Sequence, residues 1–190
     1  MTSLVEIHGW VPPGRLTVDD MANIDLDIPF EIVDGRLELM APPTPWHQYA
    51  SARISRLLEP EYAYVTGDVP VDVGRSGRRP DVVALIVPAE QIMRERLRSF
   101  AAGMVAVAVE VISHASDAGR DADSVARDRE EKLHEYAAAG IPEYWIVDED
   151  PHDPADAIVE IYHLRSGSYA PVLVARLSEF ESGLAKIPVR

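Results

Sequence analysis

Asp81, Glu110 and Lys132 are the residues whose types and order could do chemistry. Glu110 stands near the end of Met104–Ile112, an apolar run rich in valine and alanine. Side chains alternate along a strand, so Val105, Val107, Val109 and Val111 share one face, and Ala106, Ala108, Glu110 and Ile112 the other. A charge in such a strand costs free energy unless a metal or a cation compensates it. Asp81 follows Pro80 and enters a second apolar run that ends at Val87. If the two strands pair, both carboxylates converge at one sheet edge, where Mg²⁺ takes one or two carboxylates plus waters and phosphate oxygens. Such an ion activates water and stabilises the charge of phosphodiester cleavage. Lys132 lies on the margin of a helix face with Val125, Arg129 and Tyr136, so its stem can run along the core and carry its ammonium toward the sheet. Each residue has a plainer role. Asp81 can merely open a strand, and Lys132 can be a solvated lysine paired with Asp128 or Glu135.

The elements that must position these groups are legible. Phe30–Val33 and Arg36–Met40 flank Asp34-Gly35, the favoured two-residue hairpin turn. Glu31 and Glu38 then become cross-strand partners on one face, either an acidic patch near the metal or part of an exposed hairpin. Trp46, Ala50, Ile54, Leu57 and Leu58 form an apolar stripe on a helix over 45–58. His47 lies at its edge, read as a partly packed histidine, with substrate contact as the alternative. Short strands are expected at 62–65 and 69–73, a turn at 74–77, a strand at 81–87 and a helical connection over 89–99. A helix over 121–139 ends at Gly140, with Pro142 beyond. Strands follow at 143–148, 157–164 and 169–174.

Bulk properties restrict the function classes. The 190 residues fit a single domain with a sizeable core, and no run approaches the length of a membrane span. The first ten residues lack the basic and apolar regions of a signal peptide, so a cytoplasmic location is expected. Zero cysteine excludes disulfides and thiolate chemistry and limits metal ligands to oxygen and nitrogen. Net charge is −14, which repels polyanions at long range. Of 18 lysine and arginine residues only Lys132 and Lys186 are lysines.

Pro80-Asp81, Val109-Glu110-Val111-Ile112-Ser113, and Asp128-x₃-Lys132-x₃-Tyr136-x₃-Gly140-Ile-Pro-Glu-Tyr-Trp-Ile-Val-Asp148 together resemble the Uma2 family of the PD-(D/E)xK nuclease superfamily. The likeness takes in Phe30–Met40 and Pro42-Pro43…His47, and covers about residues 17–174 of one domain. It implies an α/β (α+β) fold with a restriction-endonuclease-like core: a mixed central sheet flanked by helices, with an N-terminal hairpin. It implies that Asp81 and Glu110 hold Mg²⁺ or Mn²⁺ and that Lys132 is the catalytic cation. The Val111 backbone carbonyl would be a further ligand, and Glu31 or Glu38 the completing acid. One departure stands out: the superfamily motif puts lysine two residues after the glutamate, where this chain has Ile112. In Uma2-like sequences the lysine has moved to the following helix, where Lys132 matches.

The function expected is a Mg²⁺- or Mn²⁺-dependent endonuclease cutting DNA with a metal-activated water. Arg75, Arg78 and Arg79, just before Asp81, would grip flanking phosphates. The alternatives are a non-catalytic nuclease-fold binding or regulatory protein, which the acidic charge favours, and a nuclease acting on RNA. The superfamily often dimerises, and the apolar hairpin over 157–174 offers an edge for a homodimer or completes the chain's own sheet.

Overall fold

A computed structural model describes residues 9–11, 13–112, 114 and 127–188. Six strands form the main sheet in the order β13-β12-β11-β10-β8-β5. They are β5 (Tyr64–Thr66), β8 (Val82–Leu85), β10 (Val105–Val111), β11 (Glu143–Asp150), β12 (Asp153–Arg165) and β13 (Ser168–Arg176). β10 runs parallel to β11 and antiparallel to β8, and every other pair is antiparallel, so the sheet is mixed. The parallel pair needs a crossover, and the helix α3 (Lys132–Ala139) lies on it. All seven residues of β10 are buried, as its continuous apolar run demands of a strand covered on both faces.

Each face of the sheet carries its own layer. Val107, Val109, Val111, Trp145 and Val147 pack with Ala50, Ile54 and Leu58 of helix α1 (Pro45–Leu58), the apolar stripe expected for that helix. Helix α4 (Leu177–Glu181) adds Leu177 and Phe180 to this layer, with Phe180 stacked on Trp145. Ala108, Ile112, Tyr144 and Ile146 face the other way, toward Tyr136 of α3 and Ile92 of helix α2 (Ala89–Glu95). One expectation about faces fails at the start of β10. A bulge between Val105 and Val107 moves Ala106 to the Val107 face and Val105 to the Ala108 face, because an extra residue inverts the alternation before it.

A second sheet, ordered β4-β3-β7-β6-β9, carries the N-terminal hairpin. Its strands are β3 (Phe30–Val33), β4 (Arg36–Leu39), β6 (Val71–Asp72), β7 (Gly77–Arg78) and β9 (Phe100–Ala101). Asp34 and Gly35 both take positive φ, 49° and 77°, and set the expected register of Glu31 against Glu38. The run expected as a turn at 74–77 ends in β7, which inserts between β3 and β6. The helix expected over 89–99 stops at Glu95, where Arg96 turns left-handed at φ 53°, and β9 then pairs in parallel with β6. A small sheet pairs β1 (Gly9–Trp10) with β2 (Asp25–Leu26). The part of the helix expected over 121–126 lies outside the described residues. From Arg127 to Glu131 the chain forms a π-helical turn that feeds α3, which ends at Gly140 as expected.

Candidate active site

Backbone pairing brings the expected carboxylates together. Val82 lies opposite Val109, so Asp81, one residue earlier, stands at the register position of Glu110. The ladder stops there, and the Asp81 side chain takes over: Oδ2 accepts the Val111 N–H at 2.6 Å. In an extended strand a residue's N–H and C=O point to the same side, which puts the Val111 carbonyl on this edge too. Gly67 presses against the Asp81 backbone so closely that a Cβ there would sit 2.1 Å from the Asp81 carbonyl. Only glycine fits, and it holds Asp81 in place. The second Asp81 oxygen, Oδ1, lies 3.0 Å from Nε2 of His47. His47 is on the first turn of α1, where Thr44 caps the helix by accepting the His47 N–H. His47 is thus packed against the Asp81 carboxylate.

Glu110 is 2% exposed and fully partnered. Its Oε2 lies 2.7 Å from Lys132 Nζ, and its Oε1 accepts the Tyr136 hydroxyl at 2.6 Å. Lys132 is also buried and reaches Asp128 at 3.1 Å and Glu31 at 3.7 Å. The spacing of Asp128, Lys132 and Tyr136 by fours puts all three on one face, continued across the π-helical turn. Lys132 thus lies beside Glu110 and pairs with Asp128, but it is buried rather than solvated, and Glu135 pairs with Arg78 instead.

The charges do not cancel. Glu31, Asp81, Glu110 and Asp128 surround Lys132, and the buried Arg78 bonds to Glu31. Burial pushes the Glu110 carboxyl well above its usual range; Lys132 opposes this, and Asp81, Asp128 and Glu31 add to it. Burial works to lower the Lys132 ammonium, but Asp128, Glu110, Glu31 and Asp81 hold it well above its ordinary value. The Tyr136 phenol is raised by burial and by Glu110, so it keeps its proton and donates. For His47, burial favours the neutral ring, yet the bond to Asp81 and the charges of Asp81 and Asp128 raise its pKa. Its Nδ1 is buried with no hydrogen-bond partner among the described residues.

Other expected site residues are distributed differently. Glu31 is buried and accepts from Arg78 at 3.0 Å and from the Arg79 N–H at 2.8 Å. Burial opposes its ionisation, but Lys132, Arg78 and the Arg79 N–H keep its pKa below the usual range. Glu38, its cross-strand partner, is exposed, because β4 is the outer strand of its sheet. Arg78 is fully buried, bonded to Glu31 and Glu135, and turned away from any flanking phosphate. A basic run reads alike whether it faces solvent or buried carboxylates. Arg79 binds the Asp68 carbonyl and carboxylate and lies over the Phe30 ring. Arg75 stays on the surface, paired with Asp34. Tyr136, Asp128 and Glu135 were not singled out for the site; the helical spacing of the first two was the signal.

Two carboxylates and a backbone carbonyl form the oxygen set that Mg²⁺ or Mn²⁺ accepts, with water filling the remaining positions. Each carboxylate oxygen already holds one partner but keeps a second lone pair. Among the described residues no three His, Asp or Glu side chains already converge on a metal-sized gap. The excess of carboxylates around Glu110 fits a cation-binding locus.

Comparison with known proteins agrees on the fold. The family model of Uma2, described as "Putative restriction endonuclease", matches residues 18–188. A crystal structure described as "a putative nuclease belonging to DUF820", from Anabaena variabilis ATCC 29413, superposes with a TM-score of 0.60 at 14% identity, covering 90% of this chain and 99% of that one. No curated protein matches. Among the described residues no helix is long and apolar enough to cross a membrane.

Proposed function

The chain belongs to the Uma2 family, and from that membership we propose that it is a divalent-metal-dependent endonuclease acting on DNA. The observation that carries the proposal is the buried Glu110–Lys132 pair with Asp81 at the facing register position. Asp81, Glu110 and the Val111 carbonyl would hold Mg²⁺ or Mn²⁺. A divalent ion supplies Lewis-acid stabilisation of phosphoryl charge and makes water more acidic at neutral pH. The chain's own residues do the rest. The Val111 N–H and His47 fix the plane of the Asp81 carboxylate. The Tyr136 hydroxyl fixes that of Glu110. Lys132, held charged by its carboxylates, would place its ammonium beside the scissile phosphate, where negative charge grows in the transition state. Glu31 and Asp128 fix that ammonium from the other side.

A second reading, a nuclease fold that binds without cutting, has one observation in its favour: both Glu110 oxygens are already bonded within the protein. Incubation of supercoiled plasmid with the protein and Mg²⁺ or Mn²⁺ separates the two. Nicked and linear DNA is expected from the wild type, with none above background from Asp81→Ala or Lys132→Ala. Equal activity in all three would remove the roles assigned here, and no cleavage by any would favour the binding module. The same assay on RNA tests the substrate.

A further inference from the structure

The tip of the β3–β4 hairpin gathers basic side chains. Arg15, Arg36 and Arg75 line one open hollow there, with Asp34 and Glu38 as its only acidic residues. Three guanidinium groups against two carboxylates make this hollow locally basic, in a chain whose net charge is −14. All three arginines are exposed. The arrangement is built into the backbone. The Arg15 side chain lies across Gly35, where a Cβ would meet its Cγ at 2.3 Å, and the Leu16 N–H donates to the Gly35 carbonyl. Arg75 is held at 3.0 Å from Asp34 in an exposed pair that solvent screens and a phosphate can displace.

The tip is also tied to the candidate active site. The Asp34 N–H donates to Ser76 Oγ, whose hydroxyl donates to Glu135 on α3. Glu135 binds Arg78, and Arg78 binds Glu31, which faces Lys132. A chain of hydrogen bonds and ion pairs therefore links the hollow to Lys132.

We infer that Arg15, Arg36 and Arg75 form a phosphate anchor that grips the DNA backbone beside the stretch held at the Asp81–Glu110 pair. The inference rests on the endonuclease reading. It replaces the expected grip by Arg78 and Arg79, which are engaged by Glu31, Glu135 and Asp68, and it retains Arg75. Phosphate contacts set register without reading sequence, so the anchor aligns the strand and leaves base specificity to other groups.

Fluorescence anisotropy of the full chain on a labelled DNA duplex, across a salt series, tests the anchor directly. Each of R15Q, R36Q and R75Q is expected to flatten the slope of log affinity against log salt by about one, and the triple variant by nearly three, alike for unrelated sequences. R165Q removes the same charge from the β12–β13 turn, at the opposite end of the main sheet, and should leave the slope unchanged. Thermal unfolding of the exposed variants should match the wild type. A wild-type slope in the triple variant, an equal loss in R165Q, or no DNA binding by the wild type would overturn the anchor, as would arginine dependence seen on RNA alone. Binding with this arginine dependence but no cleavage would uphold the anchor and remove the endonuclease. Cleavage with unaltered slopes would do the reverse.

Discussion

Two of the buried charge networks among the described residues differ in balance. At the C-terminal helix, Arg53 of α1 binds Glu181 through two nitrogens, at 2.8 and 2.7 Å, and reaches Asp156 at 3.3 Å. Asp156 also accepts the Ala157 and Ser178 N–H groups and the Ser178 hydroxyl. Burial opposes ionisation of Asp156, yet these partners and Arg53 hold its pKa below the usual range. The bond to Arg53 likewise lowers that of Glu181. Around Lys132 the count runs the other way: carboxylates crowd one ammonium, and Glu110 is pushed up. A clamp arranges donors until its carboxylates are comfortable. The Glu110 cluster keeps an unmet demand for positive charge, as a site awaiting a cation would.

The largest effect should come from Lys132→Ala, with plasmid cleavage per folded molecule falling about 10²–10³-fold, the range for removing one preorganised electrostatic group. Arg53→Ala should do the opposite. It breaks the clamp and costs about 3 kcal/mol of stability by denaturant unfolding, at the lower end for buried pairs because Glu181 can return to water. Cleavage per folded molecule should not change. If Arg53→Ala lowered that activity as far as Lys132→Ala, the distinction between clamp and site would collapse.

Acid and neutral pH should separate the networks by sign. Asp156 and Glu181 have folded pKa values below their unfolded ones, so the unfolded chain binds more protons and stability rises with pH. Their contribution is complete above about pH 4–5 and is lost as pH falls through the depressed folded values. Ser178→Ala should move the midpoint of acid unfolding to higher pH. Glu110 is raised, so its contribution is present below its unfolded value and lost as pH climbs through the folded one. Glu110→Gln should flatten stability over that upper window and leave the acid limb alone. An unchanged profile in both variants would remove the contrast. The smallest effect belongs to Tyr136→Phe, which deletes one hydrogen bond to the buried Glu110 carboxyl and should cost about 1–3 kcal/mol by denaturant unfolding.

What could be read in the sequence follows from how local each cause is. The hairpin register came from Asp34-Gly35 alone, the α1 stripe from helical spacing, and Asp81 opposite Glu110 from two apolar runs with carboxylates near their ends. The unequal fates of Glu31 and Glu38 depend on β7 entering the second sheet, and a two-residue strand has no periodicity to detect. The burial of Arg78 is hidden for the same reason, since its partners Glu31 and Glu135 lie 47 and 57 residues away. The Arg53–Asp156–Ser178 clamp joins three such distant positions, and nothing in the local pattern marks it. The bulge in β10 has no turn residue to signal it. Short-range chemistry was legible; pairings that close long loops were not.

Crystals soaked in Mn²⁺ test the central claim most directly. The expected result is one anomalous peak bound by carboxylate oxygens of Asp81 and Glu110, with Lys132 still within reach of it and the peak absent from Asp81→Ala. Glu110 remaining on Lys132 and Tyr136, with no peak between the two carboxylates at saturating Mn²⁺, would contradict it.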